Sequence, residues 1–424
     1  MSQSSLADWL TRLEGFSPHE IDLGLERVLT VLERLKLQLP ARVLHVAGTN
    51  GKGSSVALLQ SLLATSGAKV GTYTSPHILR FNERIRLAGE EASDQSIIDA
   101  FARIDNVRGD TQLTYFEFGT IAALVTFATH HVDIAVLEVG MGGRLDAVNA
   151  VEPMAGLITN VSLDHCDWLG NDVEAIAVEK AGIMRSGKPT VYASLQVPAA
   201  IERRAGEIGA DLVLAGRDYQ WESSDKEWCW QGRTHQLDGL ALPSLAGAMR
   251  LENAAGVLAL IEAAGFDELL EAATVDRAFS SVSLPGRMQS VQIGGCQCLL
   301  DVAHNPAAAE ALATSLDDTD FGGRTIAIVG MLDDKDVAGL VLPLVDIVDK
   351  WIAVRANSPR AIAVDELARR VANASNKACF EAQSVAQAIE HARQVSTEND
   401  RVLITGSFYI VGPALEALGL YSPR

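Results

Sequence analysis

A chain of 424 residues that is 48% hydrophobic and 21% charged can bury enough apolar surface to fold, and is long enough that two domains are expected. Its net charge of -19 argues against a broad nucleic-acid footprint, which needs a basic face, and leaves anionic ligands to local basic pockets. The five cysteines (Cys166, Cys229, Cys296, Cys298, Cys379) are odd in number and scattered, so neither a disulfide framework nor a structural zinc is expected.

In chain order, the opening residues Met-Ser-Gln-Ser-Ser-Leu-Ala-Asp-Trp-Leu carry no basic segment ahead of an apolar core. No apolar run approaches the ~20 residues of a spanning helix, so a cytoplasmic protein without a membrane partner is expected. From Arg42, short β-branched runs alternate with helical patterns. Strands are predicted at Val43–Ala47, Lys69–Tyr73, Ile134–Val139, Ala155–Thr159 and Thr190–Ala193, with helices at Lys52–Thr65 and Phe116–Thr129 among the segments between them. That alternation predicts a doubly wound, mostly parallel α/β sheet. Residues 220–240, with Trp221, Trp228 and Trp230 among polar neighbours, read as a strand hairpin at the sheet margin, the tryptophans packing.

Leu284-Pro285-Gly286 is a turn signal, and it places a domain boundary near Leu284, giving domains 1–284 and 285–424. The alternation then restarts with strands at Val291–Ile293, Cys298–Val302, Thr325–Val329, Trp351–Val354 and Arg401–Thr405, each of the last four followed by a helical stretch. No short-period repeat or low-complexity segment is present.

The strand Val43–Ala47 runs directly into Gly48-Thr49-Asn50-Gly51-Lys52-Gly53-Ser54 and then into a helix. Glycines at such a turn let backbone N–H groups point at phosphate oxygens, and the helix N-terminus adds positive potential. Lys52 is then placed to reach the terminal phosphates. The spacing departs from the standard phosphate loop: Val46 stands where the first glycine falls, and Gly53 separates Lys52 from Ser54.

That altered loop resembles the one of the muramyl-ligase superfamily, which forms amide bonds through an acyl phosphate. Tyr73-Thr74-Ser75-Pro76-His77, Thr114-Tyr115-Phe116-Glu117, Leu137 to Ala147 (Leu-Glu-Val-Gly-Met-Gly-Gly-Arg-Leu-Asp-Ala) and Asp164-His165-Cys166-Asp167-Trp168-Leu169-Gly170 resemble its folylpolyglutamate synthase branch. Glu179-Lys180-Ala181-Gly182-Ile183, Leu284-Pro285-Gly286-Arg287 and Asp301-Val302-Ala303-His304-Asn305-Pro306 do the same. The segments Ile21-Asp22-Leu23-Gly24-Leu25-Glu26-Arg27 and Leu113 to Glu117 are similar to the dihydropteroate-binding segments of the bifunctional bacterial members, which also form dihydrofolate.

The resemblance implies a P-loop-type doubly wound N-terminal domain followed by a smaller Rossmann-like α/β C-terminal domain. It implies transfer of L-glutamate, driven by ATP with Mg²⁺, to dihydropteroate and to tetrahydrofolates, by a chain expected to be a monomer. ATP would be held by Thr49, Asn50, Gly51, Lys52, Gly53, Ser54, Asn253, Arg287 and Asp301, with contacts from both domains. Ser75, Glu138 and His165 would hold the metal, and Lys180 would be carbamylated. Lys52, Glu138, His165 and Lys180 form the implied catalytic set. Leu23, Thr114, Tyr115, Phe116, Glu117, Arg144, Leu145, Asp146 and Ala147 would line the pterin and aminobenzoate pocket, and His304 and Ser407 would take glutamate.

Residue by residue, plainer readings stand beside these. Hydroxyl and carboxylate suit Mg²⁺, while imidazole is a softer donor. Asn253 opens a helix and reads equally as a cap, Lys180 as a solvated or salt-bridged lysine, Arg287 and Asp301 each as part of a structural salt bridge, Phe116 as helix core. Alternative functions are a monofunctional folylpolyglutamate synthase, another muramyl-type ligase and an ATP-driven conformational switch. A muramyl-peptide ligase is expected to carry an extra N-terminal domain, whereas the phosphate loop begins at residue 48 here. A switch would release phosphate with neither pterin substrate nor glutamate present.

Overall fold

The computed structural model describes residues 5–16, 22–293, 295–317 and 321–421; Ile21 of the Ile21–Arg27 segment lies outside them. The chain forms two compact units. The first comprises residues 1–162, 168–244 and 251–282, the second 163–167, 245–250 and 283–424.

In chain order the first region contains α1 (Leu6–Glu14), α2 (Glu26–Leu35), β1 (Arg42–Ala47), α3 (Lys52–Ala64), β2 (Val70–Tyr73), β3 (Ile85–Leu87), β4 (Glu90–Glu91), α4 (Asp94–Arg108), α5 (Tyr115–Thr129), β5 (Ile134–Glu138) and β6 (Ala155–Ile158). They are followed by the short α6 (Cys166–Leu169), then α7 (Val173–Ala181), β7 (Pro189–Tyr192), α8 (Ala199–Ile208) and β8 (Asp211–Leu214). The sheet order is β4-β3-β2-β5-β1-β6-β7-β8, parallel from β2 to β8, with β3 and β4 added antiparallel at one edge. β1, β5 and β6 are buried along nearly their whole length, the pattern of strands covered on both faces. Val46 lies level with Glu138, and Ala47 with Ile158, so the loops leaving β1, β5 and β6 emerge together at one carboxyl edge.

α5 is not amphipathic. Every residue from Glu117 to Phe127 is buried, so the helix is apolar all round and runs through the core. Residues 220–240 differ from the expected marginal hairpin. They form a separate antiparallel sheet of three strands, β9 (Gln220–Ser223), β10 (Glu227–Gln231) and β11 (Gln236–Ala241). Trp228 and Trp230 alternate with exposed Glu227 and Gln231, so one face of β10 is buried and the other solvated. The Trp228 indole donates to Ala241 O at 3.1 Å. α9 (Arg250–Ala263) and α10 (Ala272–Ser280) follow, α10 packing on β11.

The second unit is a six-stranded sheet, ordered β12-β13-β17-β14-β15-β16. Its strands are β12 (Gln289–Ile293), β13 (Cys296–Leu300), β14 (Thr325–Val329), β15 (Lys350–Val354), β16 (Cys379–Ala382) and β17 (Arg401–Thr405). Only β12 runs antiparallel; α11 (Pro306–Asp317), α12 (Val337–Val341), α13 (Val364–Ser375) and α14 (Val385–Val395) connect the parallel strands, and α15 (Phe408–Ala417) follows β17. β16, absent from the predicted strands, is an edge strand with exposed Phe380 and Glu381, so its sequence carries no continuous apolar run. Among the described residues no helix is long and apolar enough to cross a membrane.

Candidate active site

The loop 48–54 is shaped by its glycines. Gly48 has φ 145° and a side chain there would collide with the Thr159 hydroxyl; Gly51 has φ 83°, and a Cβ would stand 2.5 Å from Asn253 Oδ1. Both positions therefore require glycine. The loop is pinned from β6 outward: Thr49 N donates to Asn160 O at 3.0 Å, Asn50 N to Asn160 Oδ1 at 3.1 Å, and Thr159 Oγ1 to Asn50 O at 2.6 Å. Gly53 and Ser54 lie in the first turn of the 13-residue α3, whose N-terminal amides make an anion site. Lys52 folds back so that Nζ donates to Gly48 O and Thr49 O, both at 3.1 Å. Asn253 is the fourth residue of α9 and faces Gly51, so its side chain meets the loop instead of capping the helix.

Beside the loop, Glu138 ends β5 at 4% exposure, and its Oε2 accepts from Ser75 N at 3.2 Å. The structure thus brings the Ser75 backbone to the Glu138 carboxylate, and hydroxyl and carboxylate are the residue types Mg²⁺ takes. Lys180, on α7 and 3% exposed, donates from Nζ to Gly48 O at 2.9 Å. The plain reading of a solvated surface lysine is therefore wrong: burial has brought this amine into the phosphate loop. Asp146 caps the 3-10 turn Ala147–Ala150, accepting from Met141 N and Val148 N at 2.9 Å. Burial raises its pKa to about 6, against the pull of those N–H groups and of Lys52.

The residues expected to line the pterin pocket occupy three segments of the first unit. Thr114 caps α5 and forms a capping box with Glu117, which also pairs with Arg27 at 2.9 Å. The Phe116 ring packs against Gly140, where a Cβ would approach it to 2.5 Å, and lies 6.0 Å from the Tyr73 ring. Leu23 and Leu145 are half-buried; Arg144 is exposed and pairs with Glu179 at 2.8 Å. Buried Ala147 follows Asp146. Near Tyr115, Arg84 Nε donates to His77 Nδ1 at 2.8 Å. Burial and that guanidinium hold the His77 pKa at about 4, so the ring is a neutral acceptor.

His165, with φ 51°, belongs to the segment 163–167 of the second unit. The carboxylate at the centre of that segment is Asp164, which sequence reasoning quoted in a motif without giving it a role. It accepts from Asn305 Nδ2 at 2.9 Å and from Lys335 Nζ at 2.6 Å, and lies 3.6 Å from His304 Nε2 and 4.0 Å from His165 Nε2. Lys335 was also missed; its only signal is a charged Asp-Asp-Lys-Asp run at a strand end. His304 Nδ1 is 2.8 Å from Val302 O and its ring is 5.9 Å from Phe408, over which Arg287 stacks at 5.5 Å. Ser407 caps α15, accepting from Tyr409 N at 3.1 Å. Asp301 is buried, which raises its pKa against the nearby Arg287, and it accepts from Met288 N and Ala303 N.

Comparison with known proteins matches the geometry. Residues 46–260 fit the Mur ligase middle domain and residues 286–408 the Mur ligase glutamate ligase domain. The dihydrofolate synthase/folylpolyglutamate synthase of Escherichia coli K12 is 41% identical over 416 residues, covering 98% of this chain and 96% of that one. The structure of E. coli FolC in complex with DHPP and ADP superposes with a TM-score of 0.92 at 40% identity, covering 98% of each chain. A bifunctional folylpolyglutamate synthase/dihydrofolate synthase with Mn, AMPPNP and L-glutamate bound gives 0.91 at 40% identity, again over 98% of each. The chain belongs to the Mur ligase family, in its dihydrofolate synthase/folylpolyglutamate synthase branch.

Proposed function

We propose that this chain joins L-glutamate to dihydropteroate, forming dihydrofolate, and to tetrahydrofolates, extending their glutamate tail, at the expense of ATP. The observation that carries this reading is the phosphate loop 48–54, with its ligase spacing, beside the buried Glu138 and Lys180, in a chain that aligns end to end with bifunctional enzymes. The substrate carboxylate attacks the γ-phosphorus, the bond to the bridging oxygen breaks, and ADP leaves an acyl phosphate. The glutamate amine then attacks the acyl carbon, phosphate departs, and the amine loses its proton.

Gly51 to Ser54 offer backbone N–H groups to the phosphates, Thr49 and Asn50, whose own N–H groups are held by Asn160, shape the loop around them, and Lys52 neutralises charge on the transferring phosphoryl group. Asn253, Arg287 and Asp301 hold the rest of ATP. Ser75, Glu138 and His165 would hold a divalent cation, which when bound supplies further charge neutralisation on the phosphates. Lys180 is assigned as carbamylated, a state that intact-mass measurement in bicarbonate buffer would reveal as one added CO₂. Leu23, Thr114 to Glu117 and Arg144 to Ala147 take the pterin and aminobenzoate, and His304 and Ser407 the glutamate. On this assignment residues 1–284 carry the phosphate loop and folate binding, and residues 285–424 carry glutamate binding together with the Arg287 and Asp301 contacts to ATP.

The deciding assay supplies ATP, labelled glutamate and either dihydropteroate or tetrahydrofolate to purified protein. Labelled product from both is expected; product from neither would overturn the reading. Arg287→Ala is expected to raise the KM for ATP about tenfold or more with unchanged thermal stability, since it removes one charged contact; unaltered ATP dependence would remove Arg287 from the site. We further infer a cytoplasmic monomer, which light scattering at twice the chain mass would contradict.

A further inference from the structure

Arg84 closes the 3-10 turn Phe81–Arg84 and is only 9% exposed. A guanidinium taken that far from water needs negative charge nearby to offset the lost hydration. What it has instead is the ring of His77, accepting its Nε–H at 2.8 Å, a hydrogen bond with the Tyr73 hydroxyl, and the faces of Phe81 and Tyr115, 5.6 and 5.5 Å from Cζ. Imidazole and aromatic faces soften the cost of burial but bring no full charge.

The neighbouring carboxylates are committed elsewhere. Glu83, adjacent in sequence, accepts from the backbone N–H groups of Ile78, Leu79 and Arg80 at 2.7 to 2.8 Å, which fixes the loop that carries His77. Arg80 and Arg86, on either side, pair with Glu91, and Arg80 also with Asp94. Among the described residues no carboxylate forms an ion pair with Arg84. A buried cation held in a rigid frame with no counter-ion among the described residues is a site for an anion supplied from outside.

Its surroundings say which anion. Of these contacts, Tyr115 belongs to the aromatic segment proposed for the aminobenzoate, and His77 stands two residues along the loop from Ser75, whose amide meets Glu138. A ligand reaching from an aromatic pocket toward a phosphoryl-transfer centre presents a carboxylate here. We propose that Arg84 is the positioning counter-ion for a carboxylate of the folate-type substrate, an inference that rests on the pterin-ligase reading above. Dihydropteroate has one carboxylate, the reacting one; a glutamylated folate has a second that does not react.

The test is equilibrium binding by calorimetry, with Mg²⁺ and a non-hydrolysable ATP analogue present. The ligands are dihydropteroate, its carboxamide analogue and monoglutamyl tetrahydrofolate, measured on the wild type, Arg84→Gln and Arg84→Lys. Arg84→Gln is expected to lose about 10- to 100-fold in affinity for a carboxylate ligand, the range of a charge-assisted hydrogen bond. Binding of the carboxamide should stay within about twofold, because it offers no charge to lose. Arg84→Lys, which keeps the charge but not the fork, recovers part of the loss.

Weakened binding of both carboxylate ligands assigns the reacting carboxylate. Weakened binding of tetrahydrofolate alone assigns the second one. Equal losses for carboxylate and carboxamide, with no recovery in Arg84→Lys, would reduce Arg84 to a packing residue and overturn the proposal while leaving the ligase reading intact. Wild-type protein that binds none of the three ligands would overturn both.

Discussion

Lys52→Ala is expected to lower turnover with either pterin substrate by at least about 10²- to 10³-fold, the scale on which removal of one preorganised charge from a phosphoryl- or acyl-transfer site is felt. The fold should not follow. Lys52 contributes two hydrogen bonds to loop carbonyls, and such bonds are worth about 1 kcal/mol each, a small part of a two-unit chain's stability. The loop is held chiefly by Asn160, Thr159 and the two glycines, none of which the substitution touches. Because the charge acts most where the phosphoryl group is in flight, kcat should fall more than the KM for ATP rises. Lys52→Arg should not restore activity, since a planar fork cannot replace a compact point charge in a tight turn. Turnover within about threefold of wild type would remove Lys52 from the proposed chemistry.

The parts of this site that were legible in the sequence are those where local chain geometry and chemistry coincide. A glycine loop between a β-branched strand and a helix announces itself, and the register of β1, β5 and β6 then carries Glu138 to the same edge. The buried strands were found within a residue or two because continuous apolar runs are their signature. β16 was missed because its exposed Phe380 and Glu381 break that signature. The marginal hairpin became an independent sheet because three strands could bury the tryptophan face of β10 that two could not.

Long-range charge pairing left no trace at all. Arg84 reads as one more basic residue in Asn82-Glu83-Arg84, and only the commitment of Glu83 to loop amides reveals its isolation. Asp164 and Lys335 stand 171 residues apart, and no spacing rule joins them. Lys180 looked like a surface lysine for the same reason: its partner, the Gly48 carbonyl, lies 132 residues away.

Asp164→Ala is the substitution with the largest expected effect on stability. Asp164 and Lys335 form a salt bridge at 2.6 Å with side chains 8% and 9% exposed, so removing the carboxylate leaves an ammonium in a nearly dry site with only the longer contact to Asp334, at 3.9 Å. Breaking a buried pair in this way costs about 3–5 kcal/mol, and Asn305 loses its acceptor as well. Asp164→Asn, which keeps shape and an acceptor, should cost less. Both losses should appear as faster hydrogen exchange in β13, β14 and β17. The pH dependence has a definite sign. Burial alone would push the Asp164 carboxyl up, but its contact with His304 and the charges of His165, His304 and Lys335 outweigh it and hold the group well below the ordinary carboxylate range. A depressed carboxyl contributes its stability fully above its unfolded value near pH 4 and loses it as the pH falls below that. The stability gap between wild type and Asp164→Ala should therefore narrow as the pH falls below about 4. A gap that widens in acid, or an Asp164→Ala protein within about 0.5 kcal/mol of wild type at pH 7, would mean that the pair is not closed in solution.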